Sequence, residues 1–163
     1  MCGIIGTVGN IEDKDINWLD KATLYLKHRG PDASSRWISP SMNAAFAHRR
    51  LSIIDTGQSS DQPFISEDKK IILVYNGEIY NYIELRNELI SLGMEFKTQG
   101  DTEVLLASYR QWGVDCLDRL NGMFAFAIWD QRRGDGRERL FVARDRSVEK
   151  PFYYRYLSNK FEF

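Results

Sequence analysis

The hydrophobic pattern of the chain divides it into short elements. Residues 2–8, Cys-Gly-Ile-Ile-Gly-Thr-Val, are mostly apolar and partly β-branched, and Gly9-Asn10 follows, which predicts a strand ending in a turn. Ile16, Leu19, Thr23 and Leu26 recur at helical spacing, predicting a helix capped by Asp15 that runs to about His28. Arg29-Gly30-Pro31-Asp32 breaks it into a loop. Strands are expected at 35–38, 44–48 and 51–54, then a polar, turn-rich loop over 56–63. The strongly apolar run 70–75 predicts another strand, with Asn76-Gly77 directly after it. Helices are expected at 82–92, closed by Gly93, and from about Thr102 to Trp112 after Gly100-Asp101, with Phe96 in a short strand between them. Residues 123–129 are apolar at both strand parities, which implies burial on both faces. Gly134-Asp135-Gly136 suggests a hairpin turn returning through 140–144, and a last hairpin is expected about Ser158-Asn159. Many short strands with three or four helices point to an α+β layered domain.

Length and composition narrow this picture. A chain of 163 residues fits one domain with a real core. A hydrophobic share of 43% and an aromatic share of 13% exclude a disordered tail. The net charge of -1 gives no electrostatic reason to expect nucleic acid or an anionic membrane as partner. Two cysteines, Cys2 and Cys116, are too few for a disulfide framework, so a reducing, cytoplasmic setting is expected. No apolar stretch is long enough to span a bilayer. No Cys/His/Asp cluster has metal-ligand spacing.

Cys2 carries the first chemistry. Removal of Met1 leaves a thiol and a free α-amine on one residue. A thiol is weakly ionised at neutral pH and needs a base, and an α-amine with a pKa of about 7.7–8.0 suits that role. One residue then supplies both nucleophile and base, in a chain whose only histidines are His28 and His48. The competing reading is a small apolar residue that merely starts a strand.

Met1-Cys2-Gly3-Ile4-Ile5-Gly6 is followed by five blocks: His28-Arg29-Gly30-Pro31-Asp32, His48-Arg49-Arg50-Leu51-Ser52-Ile53, Tyr75-Asn76-Gly77-Glu78-Ile79-Tyr80-Asn81, Gly100-Asp101-Thr102-Glu103 and Asn121-Gly122-Met123-Phe124-Ala125-Phe126-Ala127. In this order they resemble the class II glutamine amidotransferases, which are N-terminal-nucleophile hydrolases. The Arg-Gly-Pro-Asp and Asn-Gly-Glu-Ile-Tyr-Asn forms resemble the asparagine synthetase branch. The resemblance implies a four-layer αββα sandwich with two antiparallel sheets. It also implies residue roles: Cys2 as nucleophile, Asn76 and Gly77 as the oxyanion hole, Arg50 for the glutamine α-carboxylate, and Asp101 for the α-ammonium. Glu78 is a second candidate for that ammonium, and Ile53 joins the substrate-binding set. Arg49 rivals Arg50, but adjacent strand residues face opposite sides, so only one should enter the pocket. Asp101 has a rival role as a helix cap, and Asn76-Gly77 as an ordinary hairpin turn. Arg29 to Asp32 are expected to shape a pocket wall, and Cys116 to pack in a core.

By the same resemblance, residues 1–163 are a glutaminase domain that needs no metal or cofactor. The synthetase domain that usually follows, with its ATP and Mg, has no counterpart motif in this sequence, which suggests a truncated or excised domain. The expected partners are glutamine and a synthetase domain or subunit accepting ammonia, most simply for asparagine synthesis from aspartate; a homodimer stays open. Alternatives are a sugar or peptide acceptor, another amide substrate, or a catalytically silent interaction module. The family pattern Phe-Gly-Ile-Lys-Pro reads Ser147-Val148-Glu149-Lys150-Pro151 here, so a positive φ at the lost glycine is in doubt.

Overall fold

The computed structural model describes residues 2–51, 61–132, 137–157 and 159–163. Two antiparallel sheets form the middle of the molecule. The first contains β1 (Gly3–Val8), β2 (Ala33–Ile38), β3 (Ala44–Arg50), β8 (Arg155–Leu157) and β9 (Lys160–Glu162), in the order β2-β3-β1-β9-β8. The second contains β4 (Phe64–Ile65), β5 (Ile71–Ile79), β6 (Gly122–Asp130) and β7 (Arg139–Arg144), in that order. Helix α1 (Asp13–Tyr25) covers the first sheet, and α2 (Tyr82–Ser91) and α3 (Asp101–Trp112) cover the second.

Three apolar layers follow from strand alternation. Ile5, Ala45 and Ala47 pack against Leu19, Ile16 and Leu26 of α1 and its 3₁₀ extension Leu26–His28. Phe46 and Ala44 face Ile72, Val74, Ala127 and Trp129 between the sheets. Ile71, Leu73, Phe126 and Ile128 meet Leu85, Leu89, Leu105 and Tyr109 of the outer helices. The arrangement is the α+β layering that the sequence pattern suggests, with the two antiparallel sheets that the family resemblance implies. Burial of β6 on both faces accounts for its apolar residues at both parities.

Several local expectations change. The cap of α1 is Glu12 rather than Asp15; Asp15 sits one turn inside and its Oδ2 accepts the Glu12 N–H at 2.7 Å. Phe96 is not in a strand. The 94–100 segment is irregular, with the Lys97 and Thr98 N–H groups bonded to the Glu103 carboxylate, and the Arg86 guanidinium lies 4.6 Å from the Phe96 ring centre. Asn76-Gly77 is not a turn, because β5 runs straight through both residues to Ile79. Leu51 is not in a strand, and the rest of the strand expected at 51–54, most of the 56–63 loop, the Gly134–Gly136 turn and Ser158 lie outside the described residues.

Candidate active site

The gap between the sheets opens at one end into a cavity of about 100 Å³. Cys2, Arg50, Asn76, Gly77, Glu78 and Asp101 all line it, beside Gln62, Met123 and Lys150. Six of the seven candidates named from sequence therefore meet in one place. The seventh, Ile53, lies outside the described residues.

Strand parity delivers these side chains. Cys2 precedes β1 and shares the parity of Ile4 and Val8, which face the second sheet. Its Sγ receives the Leu51 N–H at 3.4 Å, and its carbonyl accepts Arg29 Nε at 3.3 Å. Gly30 lies flat on β3: a Cβ there would meet the Arg49 carbonyl carbon and oxygen at 2.4 Å. Arg29 and Gly30 thus clamp the chain carrying Cys2 onto the end of β3. None of Arg29, Gly30, Pro31 and Asp32 is in the lining of this cavity, so the block acts from behind it, with its arginine on the Cys2 carbonyl.

Arg50 follows Ala44, Phe46 and His48 in parity and lines the cavity, whereas Arg49 lies on the α1 side with Ala45 and Ala47. Arg50 Nη1 bonds Asp61 Oδ1 at 2.6 Å, a partner that nothing in the sequence marked. A guanidinium offers five donors in a fork, so this pair and a ligand carboxylate are compatible.

Asp101 opens α3, with Gly100 at the N-cap. Its Oδ2 accepts Tyr75 Oη at 2.7 Å and the Ile79 N–H at 3.0 Å, so the carboxylate is tied to β5. Burial pushes its pKa up, with these two donors opposing the rise. Burial, with the same carboxylate adding to it, raises the pKa of the Tyr75 hydroxyl well above its ordinary value. Cys116 is a packed core thiol, and burial pushes its pKa up to about 12.

The free edge of β5 is the decisive local feature. β4 pairs only with Ile72 and Leu73, so the edge groups beyond it need other partners. On that edge the Tyr75 N–H goes to Gln62 Oε1 at 2.6 Å, the Tyr75 carbonyl to His48 Nε2 at 3.3 Å, and the Ile79 N–H to Asp101. Backbone groups alternate sides along a strand. The Gly77 N–H therefore points to this edge between Tyr75 and Ile79, and no acceptor for it exists among the described residues. The Asn76 side chain likewise makes no hydrogen bond among them, and Asn76 is buried. Two donors face a cavity that also holds a thiol. A Cβ at Gly77 would meet the Met123 carbonyl oxygen at 2.3 Å and Phe124 Cα at 2.7 Å, so only glycine fits.

The model of the glutamine amidotransferase domain matches residues 1–163, the full length. The chain belongs to that family. Relatives of this glutamine amidotransferase domain include asparagine synthetase [glutamine-hydrolyzing] 3 of Bacillus subtilis, 42% identical over 94% of the chain and 25% of that protein. The putative asparagine synthetase [glutamine-hydrolyzing] 2 of Methanocaldococcus jannaschii is 39% identical over 100% of the chain and 33% of that protein. The chain thus spans a third or less of these relatives. Among solved structures, the glutamine phosphoribosylpyrophosphate amidotransferase of B. subtilis superposes with a TM-score of 0.76 at 21% identity, over 99% of this chain and 41% of that one. That likeness is one of fold, two antiparallel sheets layered between helices.

Among the described residues, no cluster of three or more His, Cys, Asp or Glu gathers to hold a metal, and no helix is long and apolar enough to cross a membrane. Gln62, Asp61 and Lys150 were missed as site neighbours. Lys150 alone left a trace in sequence, as the lysine of the altered Phe-Gly-Ile-Lys-Pro pattern.

Proposed function

We propose that this domain hydrolyses glutamine to glutamate and ammonia through a thioester on Cys2. The observation that carries the reading is the convergence, on one small cavity, of the Cys2 thiol with the unused Asn76 amide and Gly77 N–H. Arg50 and Asp101 add a cation and an anion at the same cavity, which suits a free α-amino acid.

With Met1 removed, the Cys2 α-amine takes the thiol proton as Sγ attacks the side-chain amide carbon. The oxyanion of the tetrahedral intermediate accepts hydrogen bonds from Asn76 Nδ2 and the Gly77 N–H; one such donor contributes about 2.7–4 kcal/mol. The protonated α-amine returns its proton to the leaving nitrogen, and ammonia departs. Water then attacks the thioester, the amine again takes a proton, and glutamate and the free thiol result. None of these steps calls for a metal or cofactor.

The names of the relatives support asparagine synthesis from aspartate as the destination of the ammonia, in a synthetase domain or subunit that would bind ATP and Mg. A sugar or peptide precursor is the alternative acceptor.

The test is glutamate release from glutamine by protein whose intact mass lacks Met1, beside Cys2→Ala. Release lost in Cys2→Ala supports the reading. No release from processed protein, alone and with its synthetase partner, overturns it.

A further inference from the structure

Catalysis in this cavity depends on a distance that no single sheet controls. Cys2 and Arg50 come from the first sheet, and Asn76 and Gly77 come from the second. The interface between the sheets is apolar, built from Phe46, Ala44, Ile72, Val74, Ala127 and Trp129. Apolar packing is non-directional and by itself aligns no polar group of one layer with a group of the other. A hydrogen bond crosses that interface directly from strand to strand: His48 Nε2 on β3 to the Tyr75 carbonyl on β5, at 3.3 Å.

The placement of this bond is specific. His48 is two residues before Arg50, and Tyr75 is the residue before Asn76. The Tyr75 carbonyl sits on the β5 edge that β4 leaves uncovered. The other polar groups of Tyr75 are also committed, its N–H to Gln62 and its hydroxyl to Asp101. Whatever holds the Tyr75 carbonyl therefore holds the start of the Asn76-Gly77 segment. A carbonyl only accepts, so His48 must carry its proton on Nε2, and burial keeps the ring neutral.

We infer that His48 is a positioning residue for the reaction proposed above, on which this inference rests. Its hydrogen bond to the Tyr75 carbonyl sets the sheet-to-sheet spacing that brings the Cys2 sulfur and the Asn76 and Gly77 donors to the same carbon and oxygen of the substrate. The imidazole touches no reacting atom. Its effect runs through β5.

Two variants and one direct measurement test this. His48→Leu keeps comparable volume and removes the donor; His48→Gln keeps an N–H at comparable reach. Glutamine turnover should fall about 10- to 100-fold in His48→Leu, the scale expected when reacting groups move by a fraction of an ångström to one ångström. His48→Gln should recover most of it. Alkylation of Cys2 by iodoacetamide, which needs the thiol but not the oxyanion donors, should stay within about threefold of wild type in both. Full turnover in His48→Leu, or equal loss in the two variants, would overturn the assignment. So would loss of alkylation in parallel with turnover, which marks general disruption. Should His48→Leu fail to fold, the wild-type tautomer decides: nitrogen NMR at pH 7 should find a neutral ring protonated at Nε2, and a ring protonated at Nδ1 overturns the bond. Absence of turnover in processed wild-type protein, alone and with its synthetase partner, would sink the glutaminase reading and this inference with it; the tautomer, read without substrate, tells that failure from a failure of the geometry.

Discussion

Asp101 stands at the first turn of α3, and from sequence it could equally cap that helix or meet a ligand ammonium. Its geometry separates the two. The carboxylate bonds to Tyr75 and Ile79 of β5 while lining the cavity, so its structural duty is to β5. Asparagine can accept the same two bonds through Oδ1. Asp101→Asn should therefore melt within a few degrees of wild type while its KM for glutamine rises about 10- to 100-fold, equivalent to the roughly 1.5–3 kcal/mol of a charge-assisted bond. An unchanged KM, measured by glutamate release, would leave Asp101 purely structural. Arg49 and Arg50 make the same point about what one residue reveals. Parity alone said that only one of them enters the pocket, but which one depends on which face of β3 meets α1.

At the scale of elements, the Asn76-Gly77 pair has the residues of a tight turn, and turn chemistry would put it there. The strand continues instead because β6 supplies a full partner, in register from Ile71↔Asp130 to Ile79↔Gly122. The glycine is needed for close approach to Met123 and Phe124, not for a bend. Gly77→Ala should accordingly cost about 1–3 kcal/mol of overpacking and displace the edge N–H. Chemical denaturation and turnover should both fall, and a stable, active Gly77→Ala protein would refute the close fit. The loop after β7 gives the converse case. Val148 occupies the lost glycine position and still adopts φ of 63°. A β-branched residue there is strained by about 1–2 kcal/mol. The loop is held regardless, because Asp145 accepts the N–H groups of Phe124, Glu149 and Lys150. Val148→Gly should raise the melting temperature by about 1–4 °C, once the entropy cost of glycine, about 0.5–1 kcal/mol, is subtracted. A lower melting temperature would mean that the valine side chain contributes packing that its exposure does not suggest.

The whole molecule couples this architecture to pH. His48 is buried between the sheets, and burial, with the Arg50 charge adding to it, lowers its pKa from 6.5 to about 4. The unfolded chain thus binds a proton that the folded one refuses between those values, so stability falls as pH drops from about 6.5 to 4, by roughly 3 kcal/mol at most. Asp101, with a raised pKa, opposes part of this trend. Below about pH 4 a second loss begins. Burial raises Asp15 and Asp145, but the Lys160 ammonium and three backbone N–H groups respectively outweigh it and hold both below the ordinary 3.8. Carboxylates of this kind stabilise above their unfolded pKa and lose that contribution on protonation. Urea unfolding at pH 7, 5.5 and 4.5 should show the first loss in wild type and not in His48→Gln. Equal slopes in both proteins would mean that His48 is not the group responsible.

The apolar face of α1, the positions of α2 and α3 and the double burial of β6 were legible in the sequence, because each is encoded by local periodicity or by turn residues at its ends, whereas the strand expected at Phe96 does not form. The site residues could be named from the motif blocks, yet their convergence could not, since Cys2, Arg50, Asn76 and Asp101 lie on elements up to a hundred positions apart and meet only where the two sheets diverge. Tertiary structure alone decided that Asn76-Gly77 is strand and not turn, that Arg29 holds the Cys2 carbonyl, that Asp61 pairs with Arg50, and that His48 bridges the sheets. Each of these depends on what an edge, a face or a buried polar group finds opposite it, and a partner that is distant in sequence leaves no local signal.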